Sequence, residues 1–428
     1  MVSHCDGFRT VGRLLSVRDV LRARLPAQLG EHCEIVLPSG ARVPAEVIGV
    51  DRDEAQLMCL RHCEGLRYGL SVIAHGAPLV PPGGVGLLGR CIDGLGCPVD
   101  ARGPLAVRIP RNHRVQRPAP LQRRRIITPL VTGQRVIDGL LTVGKGQRIG
   151  LFAGSGVGKS TLLGEVARSA SSDVNVVALI GERGREVRPF IEDSLGPAGL
   201  RRSVVVVATS DETPLMRIQA VRTAIHIAEG FRDAGADVLF FMDSLSRLAY
   251  AQREVGLARG EMPGSRGYPA SVMTVLAETL ERLGTGDHGS ITGIITVLVD
   301  GDDPDEPIAD AARSILDGHI LLDRKLASRG WYPAVDILHS VSRLFNEVAS
   351  PDQMQAAAKV RQIIATYRDV EELVQLGAYP AGSSHRVDIA IQLMPAVELF
   401  LRQATGEHCS LEETVKSLRM LADAWQFN

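Results

Sequence analysis

From about residue 145 the chain repeats one grammar: an unbroken apolar run, then a longer stretch of helical periodicity. "QRIGLFA" precedes "STLLGEVARSA", "VNVVALIG" precedes "EVRPFIEDS", "SVVVVATS" precedes "LMRIQAVRTAIHIAEGFRDAG", and "ADVLFFMD" precedes "SRLAYAQREVG". Strands this apolar have no face left for water, which is the mark of a parallel sheet covered on both sides. The alternation predicts right-handed βαβ units with helices on both faces. "SITGIITVLVD" and "HILLD" read as further strands.

The first junction of this pattern carries "AGSGVGKST", residues 153–161. It follows the apolar run "RIGLF" and opens the helix "TLLGEVARSA", the context a phosphate-binding loop needs. Glycines let backbone N–H groups close around phosphate oxygens, and the helix N-terminus adds partial positive charge. The nucleotide-binding set is therefore Gly154, Ser155, Gly156, Val157, Gly158, Lys159, Ser160 and Thr161. Lys159 is placed to reach the β- and γ-phosphates of ATP, and Ser160 to ligate Mg²⁺. The motif's first position is Ala153 rather than Gly.

Two later strand ends add carboxylates. "ADVLFFMDS" finishes an apolar run in Asp243, which fits the metal-side partner of a phosphate loop. "IGERGREVRPF" places Glu182 just after another run, where a carboxylate can serve an attacking water. Taken alone, Glu182 belongs equally to a charged loop. "YPAVDILHSVSR" closes a late strand with Arg343 and opens with Tyr332. By themselves, Arg343 suits a structural ion pair within its own chain and Tyr332 suits a core aromatic.

The remainder of the chain reads as two further units. Residues 1–80 show short β-rich bursts with turns at Pro38–Gly40 and Asp51–Asp53, a small β-barrel or sandwich. "APLVPPGGVGLLGR" reads as a linker and "GRCIDGLGCPVDARGP" as turns. After about 345 the pattern is helical, with Ser350–Pro351 as a helix start. The expected fold is α/β: an N-terminal barrel over 1–80, a nucleotide-binding domain over 81–345 and a helical domain over 346–428. The net charge of -1 excludes a chain-wide basic field for nucleic acid, and the barrel's few aromatics, Phe8 and Tyr68, give no stacking platform. Seven scattered cysteines suit reduced cytosolic thiols, and "CLRHC" (59–63) is a single pair without the second that a zinc motif needs. With no apolar run of membrane-spanning length and no secretory leader in "MVSHCDGFRTVGR", a cytoplasmic protein is expected, free to sit on a membrane-bound machine.

The order of the pieces closely resembles one family. "PLVTGQRVIDGLLTVGKGQRIGLFAGSGVGKSTLL" is followed by "GERGRE", "FFMDSLSR", "RGYPASV", "VLVDGDDPDEPIADAARSILDGHI" and "YPAVDILHSVSR". This resembles the rotary-type ATPases related to the catalytic subunit of ATP synthase, and within them the ATPases of type III protein export, flagellar or injectisome. The resemblance implies a RecA-like core and ATP hydrolysis with Mg²⁺. It implies Lys159 and Ser160 at the phosphates and metal, Glu182 activating water with Arg183 beside it, and Asp243 as the Walker B carboxylate. It implies Tyr332 packing on adenine and Arg343 as an arginine finger reaching a neighbour's site in a homo-oligomeric, hexameric ring. It also implies a central stalk-like partner, a peripheral regulator, chaperone–substrate complexes as clients, no nucleic acid, and peripheral attachment at the inner face of the bacterial inner membrane. The loop "GEMPGSRGYPASVM" varies among such relatives, and Asp300 stands where Glu is common. Three other readings stay open: an ATP synthase subunit, a Rho-type RNA translocase, and a nucleotide-gated docking platform. Glu182 speaks against a non-catalytic synthase subunit, and the neutral charge against the translocase.

Overall fold

The computed structural model describes residues 10–107, 118–154, 156–299 and 306–427. Six strands, β1 (Thr10–Ser16), β2 (Leu21–Arg24), β3 (His32–Val36), β4 (Arg42–Asp51), β5 (Glu54–Cys59) and β6 (Ser71–Ala74), close into a barrel in the order β1-β2-β5-β4-β3-β6. Strict alternation of burial along β3 and β6 packs every second side chain inward, around Leu14, Leu25, Ile35 and Leu57. Ile48 and Leu60 instead point out of the barrel and join the core of the next unit. Thr213 Oγ1 donates to the Leu60 carbonyl at 2.8 Å, and Arg222 reaches both oxygens of Glu46 at 2.9 Å. The barrel is thus fastened to the central unit by packing and polar bonds together.

The central sheet is built from β7 (Cys91–Asp93), β10 (Arg148–Ala153), β11 (Val174–Ile180), β12 (Ser203–Ala208), β13 (Asp237–Asp243), β14 (Gly284–Thr285), β15 (Ser290–Leu298), β16 (Gly318–Leu322) and β17 (Val335–Ser342); a separate pair, β8 (Pro129–Leu130) and β9 (Val143–Gly144), lies outside it. The main order is β17-β16-β10-β15-β13-β11-β12-β7, parallel except for β17 at one edge and β14 on β15. All seven residues of β11 are buried. Val176, Ala178 and Ile180 face one layer of core, while Val177 and Leu179 face the other, as the two-residue period requires. The first layer holds helices Pro214–Asp233, Leu245–Ala258, Ala270–Leu280 and Pro307–Ile315.

The second layer holds the helix after the phosphate loop, Lys159–Ser169, together with the C-terminal helices Pro351–Arg368, His385–Leu401 and Leu411–Asp423. Ser350 caps the first of these, accepting from Gln353 N at 3.2 Å. The stretch read from sequence as turns, residues 89–104, contributes the short strand β7, which pairs in parallel with β12 at the sheet edge. Too few residues are involved for periodicity to betray it. No helix among the described residues is long and apolar enough to cross a membrane.

Candidate functional site at the phosphate-loop end of the sheet

β10, β11 and β13 run parallel, so their C-terminal ends open on the same side. The loop leaves β10 and delivers Lys159 as the first residue of its helix. Gly156 and Gly158 have φ of 80° and 88°, the left-handed region that glycine enters without steric cost. A Cβ on Gly158 would also lie 3.1 Å from the Tyr332 ring, so the loop and that aromatic are in contact. Ser155 lies outside the described residues, as does Asp300. Val157 is buried beneath the loop, whereas Ser160 and Thr161 are exposed on the first helical turn.

Lys159 Nζ is 2.6 Å from Asp243 Oδ1 and 3.7 Å from Glu182 Oε1. Asp243, at the end of β13, is almost wholly buried, and its Oδ1 also accepts from Thr296 Oγ1 at 2.7 Å. Glu182 follows β11 and is half-buried. Burial first, and the neighbouring Asp243 carboxylate second, hold its pKa above the ordinary glutamate value, while Lys159 and Arg247 pull the other way. A carboxylate raised in this manner is a better proton acceptor than an exposed one. Arg183 behaves differently: its side chain is 67% exposed and its nearest carboxylate is Glu186 at 3.8 Å.

A cleft of about 1040 Å³ runs from this loop to the C-terminal helices, lined by Gly158, Thr161, Tyr332, Phe400, Arg402 and Gln403 among others. The lining mixes loop residues, apolar side chains such as Phe400 and Leu421, and polar ones such as Arg402 and Gln403, which suits a ligand with both an apolar and a charged part. Among the charged groups met so far, two cations, Lys159 and Arg247, face two carboxylates, Asp243 and Glu182. A polyphosphate would add negative charge to that set, which a divalent cation could offset. The donors at hand, the Asp243 carboxylate and the Ser160 hydroxyl, are all oxygen, which suits Mg²⁺.

Arg343 stands elsewhere. β17 is antiparallel to β16, with Val335 beside Leu322 and Ser342 beside Gly318. Tyr332 therefore precedes β17 at the phosphate-loop end, and Arg343 leaves it at the opposite end, with β17 spanning the four steps of β16 from Leu322 to Gly318, about 13 Å. Arg343 is exposed; its Nη2 donates to the Arg313 carbonyl at 2.9 Å, and it makes no ion pair among the described residues.

The family model for the nucleotide-binding domain of the ATP synthase alpha/beta family matches residues 133–342, and that for the C-terminal domain of the EscN ATPase of type III secretion matches residues 349–420. The flagellum-specific ATP synthase of Treponema pallidum is 49% identical over 421 residues, covering 97% of this chain and 94% of that protein. The type 3 secretion system ATPase of Xanthomonas euvesicatoria is 47% identical, covering 96% and 92%. The chain belongs to the type III export ATPases. The solved structure of assembled EscN from the enteropathogenic E. coli secretion system superposes with a TM-score of 0.90 at 43% identity, covering 96% of this chain and all of that one. EscN bound to its central stalk EscO gives 0.88. The resemblance drawn from motif order holds, as does the fold class: barrel, parallel-sheet core and C-terminal helices.

For this export ATPase, which hydrolyses ATP, sequence reasoning missed Arg247. It lies four residues after Asp243, one turn into the next helix, within the quoted "FFMDSLSR". Its stem packs on Gly181, where a Cβ would come within 2.8 Å, and its charge acts on Glu182. Helical spacing from the strand-end carboxylate was the available signal. Thr296, which orients Asp243 from the neighbouring strand, had no such signal, because only the β13–β15 register brings it there.

Proposed function

We propose that this type III export ATPase hydrolyses ATP at sites shared between neighbouring copies in a ring, hexameric by likeness to assembled relatives, and that turnover drives protein export. In this reading Lys159 leaves the Asp243 carboxylate to meet the β- and γ-phosphates, and the loop residues Gly154 to Thr161 wrap them. Asp243 and Ser160 would hold Mg²⁺, which would neutralise charge on the phosphate oxygens. Glu182 orients the attacking water and takes its proton, with Arg183 alongside on the exposed rim. Tyr332 covers the base. Arg343 of the adjacent copy supplies a guanidinium to the transferring phosphoryl group.

One observation carries the shared-site reading: β17 takes Arg343 to the sheet end opposite its own phosphate loop and leaves it exposed. An arginine at the sheet end opposite its own Lys159 can reach a γ-phosphate only in another molecule. We further propose three units, 1–80, 81–345 and 346–428. The barrel holds the ring and a peripheral regulator, and the C-terminal helices face a stalk-like partner such as the EscO that EscN binds. The ring works at the inner face of the bacterial inner membrane, releasing chaperones from export clients and partly unfolding them. Turnover per chain measured against protein concentration tests the reading. It should rise steeply with assembly, and Glu182→Gln should stop both turnover and export. Turnover independent of concentration would remove the shared site, and export that survives Glu182→Gln would reduce the protein to a nucleotide-gated docking platform.

A further inference from the structure

We propose that His32, Glu34 and His75 form a zinc site on the outer face of the N-terminal barrel. Burial alternates along β3, so His32 and Glu34 flank the inward-facing Cys33 and share the outer face. β3 and β6 are antiparallel with Cys33 opposite Ala74, which sets His75, one residue past β6, beside His32. The His75 N–H donates to the His32 carbonyl at 3.1 Å. The two imidazoles stack with centroids 5.0 Å apart and planes 25° apart. His75 Nε2 is 3.3 Å from Glu34 Oε2, and one donor atom from each of the three residues lies within 4.8 Å of the other two.

These separations are close to a metal's needs. Zn–N and Zn–O bonds of about 2.0–2.2 Å put tetrahedral ligands about 3.4 Å apart. His32 Nδ1 is buried and makes no hydrogen bond, an unusual state for a buried ring nitrogen. The Arg42 guanidinium donates to Glu34 Oε2 at 2.7 Å and so orients that carboxylate. A ligating carboxylate that is itself hydrogen-bonded is the usual outer arrangement of a metal site. Two imidazoles and one carboxylate leave a fourth position to solvent and select zinc over Mg²⁺ or Ca²⁺, which take all-oxygen sets.

The site sits where the chain leaves the barrel for the central unit. Gln28 Nε2 donates to the Gly76 carbonyl at 2.7 Å, and Glu31 accepts from Gly76 N at 2.5 Å. A metal here would pin residues 75–77 to β3 and stiffen the exit, apart from the hydrolytic site. The rival zinc ligands are Cys59 and Cys63, whose sulfurs are 3.8 Å apart. Burial pushes the Cys59 thiol up to about 12, so it yields a poor thiolate.

The test is zinc titration of the full chain, stripped by chelator, against a chromogenic chelator in excess Mg²⁺. The wild type, His75→Ala, Glu34→Gln and the double variant Cys59→Ser/Cys63→Ser are compared, with circular dichroism to confirm folding. The proposal expects one zinc per chain and a melting temperature that rises with zinc concentration. His75→Ala and Glu34→Gln should each weaken binding by at least about tenfold, while the cysteine variant keeps it. No stoichiometric zinc on the wild type, unchanged binding in His75→Ala, or loss confined to the cysteine variant would overturn it.

Discussion

At one end of the central sheet, charges are buried and held on one another: Lys159, Asp243 and Glu182 have side chains 14%, 5% and 16% exposed and meet within 3.7 Å. At the other end, Arg343 is exposed, donates to the Arg313 carbonyl and makes no ion pair among the described residues. Burying a charge is costly unless it is paired, so the first end is complete in electrostatic terms within one chain. The second end keeps a guanidinium that meets no carboxylate among the described residues. In the proposed reading the first set binds and activates within a chain, and Arg343 serves a neighbour.

The strongest way to break that comparison is Arg343→Ala. If the arginine serves a neighbour's transition state, turnover of the assembled enzyme should fall by about 10³-fold or more. Nucleotide affinity, set at the other end of the sheet, should stay close to wild type by equilibrium titration. Equal losses in both quantities would merge the two ends into one role. Next in size is Glu182→Gln, for which single-turnover assays should show a loss of about 10²- to 10⁴-fold with binding retained. The same residue fixes a sign for pH dependence. Its pKa is raised, so protonation removes the base already above the ordinary glutamate value of about 4.3, and turnover should fall on acidification sooner than for an exposed glutamate. An acidic limb at or below that value in the pH–rate profile would contradict the buried, Asp243-coupled environment. The smallest effect is expected for Tyr332→Ala: a KM increase of about tenfold from lost stacking, with kcat little changed. A drop in kcat instead would make Tyr332 a support for the Gly158 turn rather than a cover for the base.

Much of this was legible because local signals suffice for it. The apolar runs of β10, β11, β12 and β13 announce strands buried on both faces, and the loop motif between strand and helix announces phosphate chemistry. Asp243 and Glu182 were legible as strand-end carboxylates, but their meeting on Lys159 depends on strand order, which no short stretch encodes. The reversal at Trp331–Ala334, which sends β17 antiparallel and carries Arg343 away from Tyr332, is likewise tertiary information. Twelve residues of sequence hold both side chains, yet they end on opposite sides of the sheet. The zinc triad was invisible for the same reason: His75 meets His32 only through the β3–β6 register.

The most direct test of shared sites is complementation in mixed rings. Glu182→Ala and Arg343→Ala are each prepared nearly inactive, mixed one to one, co-assembled and assayed for ATP turnover. Random mixing sets an intact Glu182 against an intact neighbouring Arg343 at about a quarter of interfaces. Activity that returns on mixing, and grows with protein concentration, is the result expected here. Mixed oligomers that demonstrably form and yet stay inactive would contradict it, and would leave Arg343 without a role in its neighbour's chemistry.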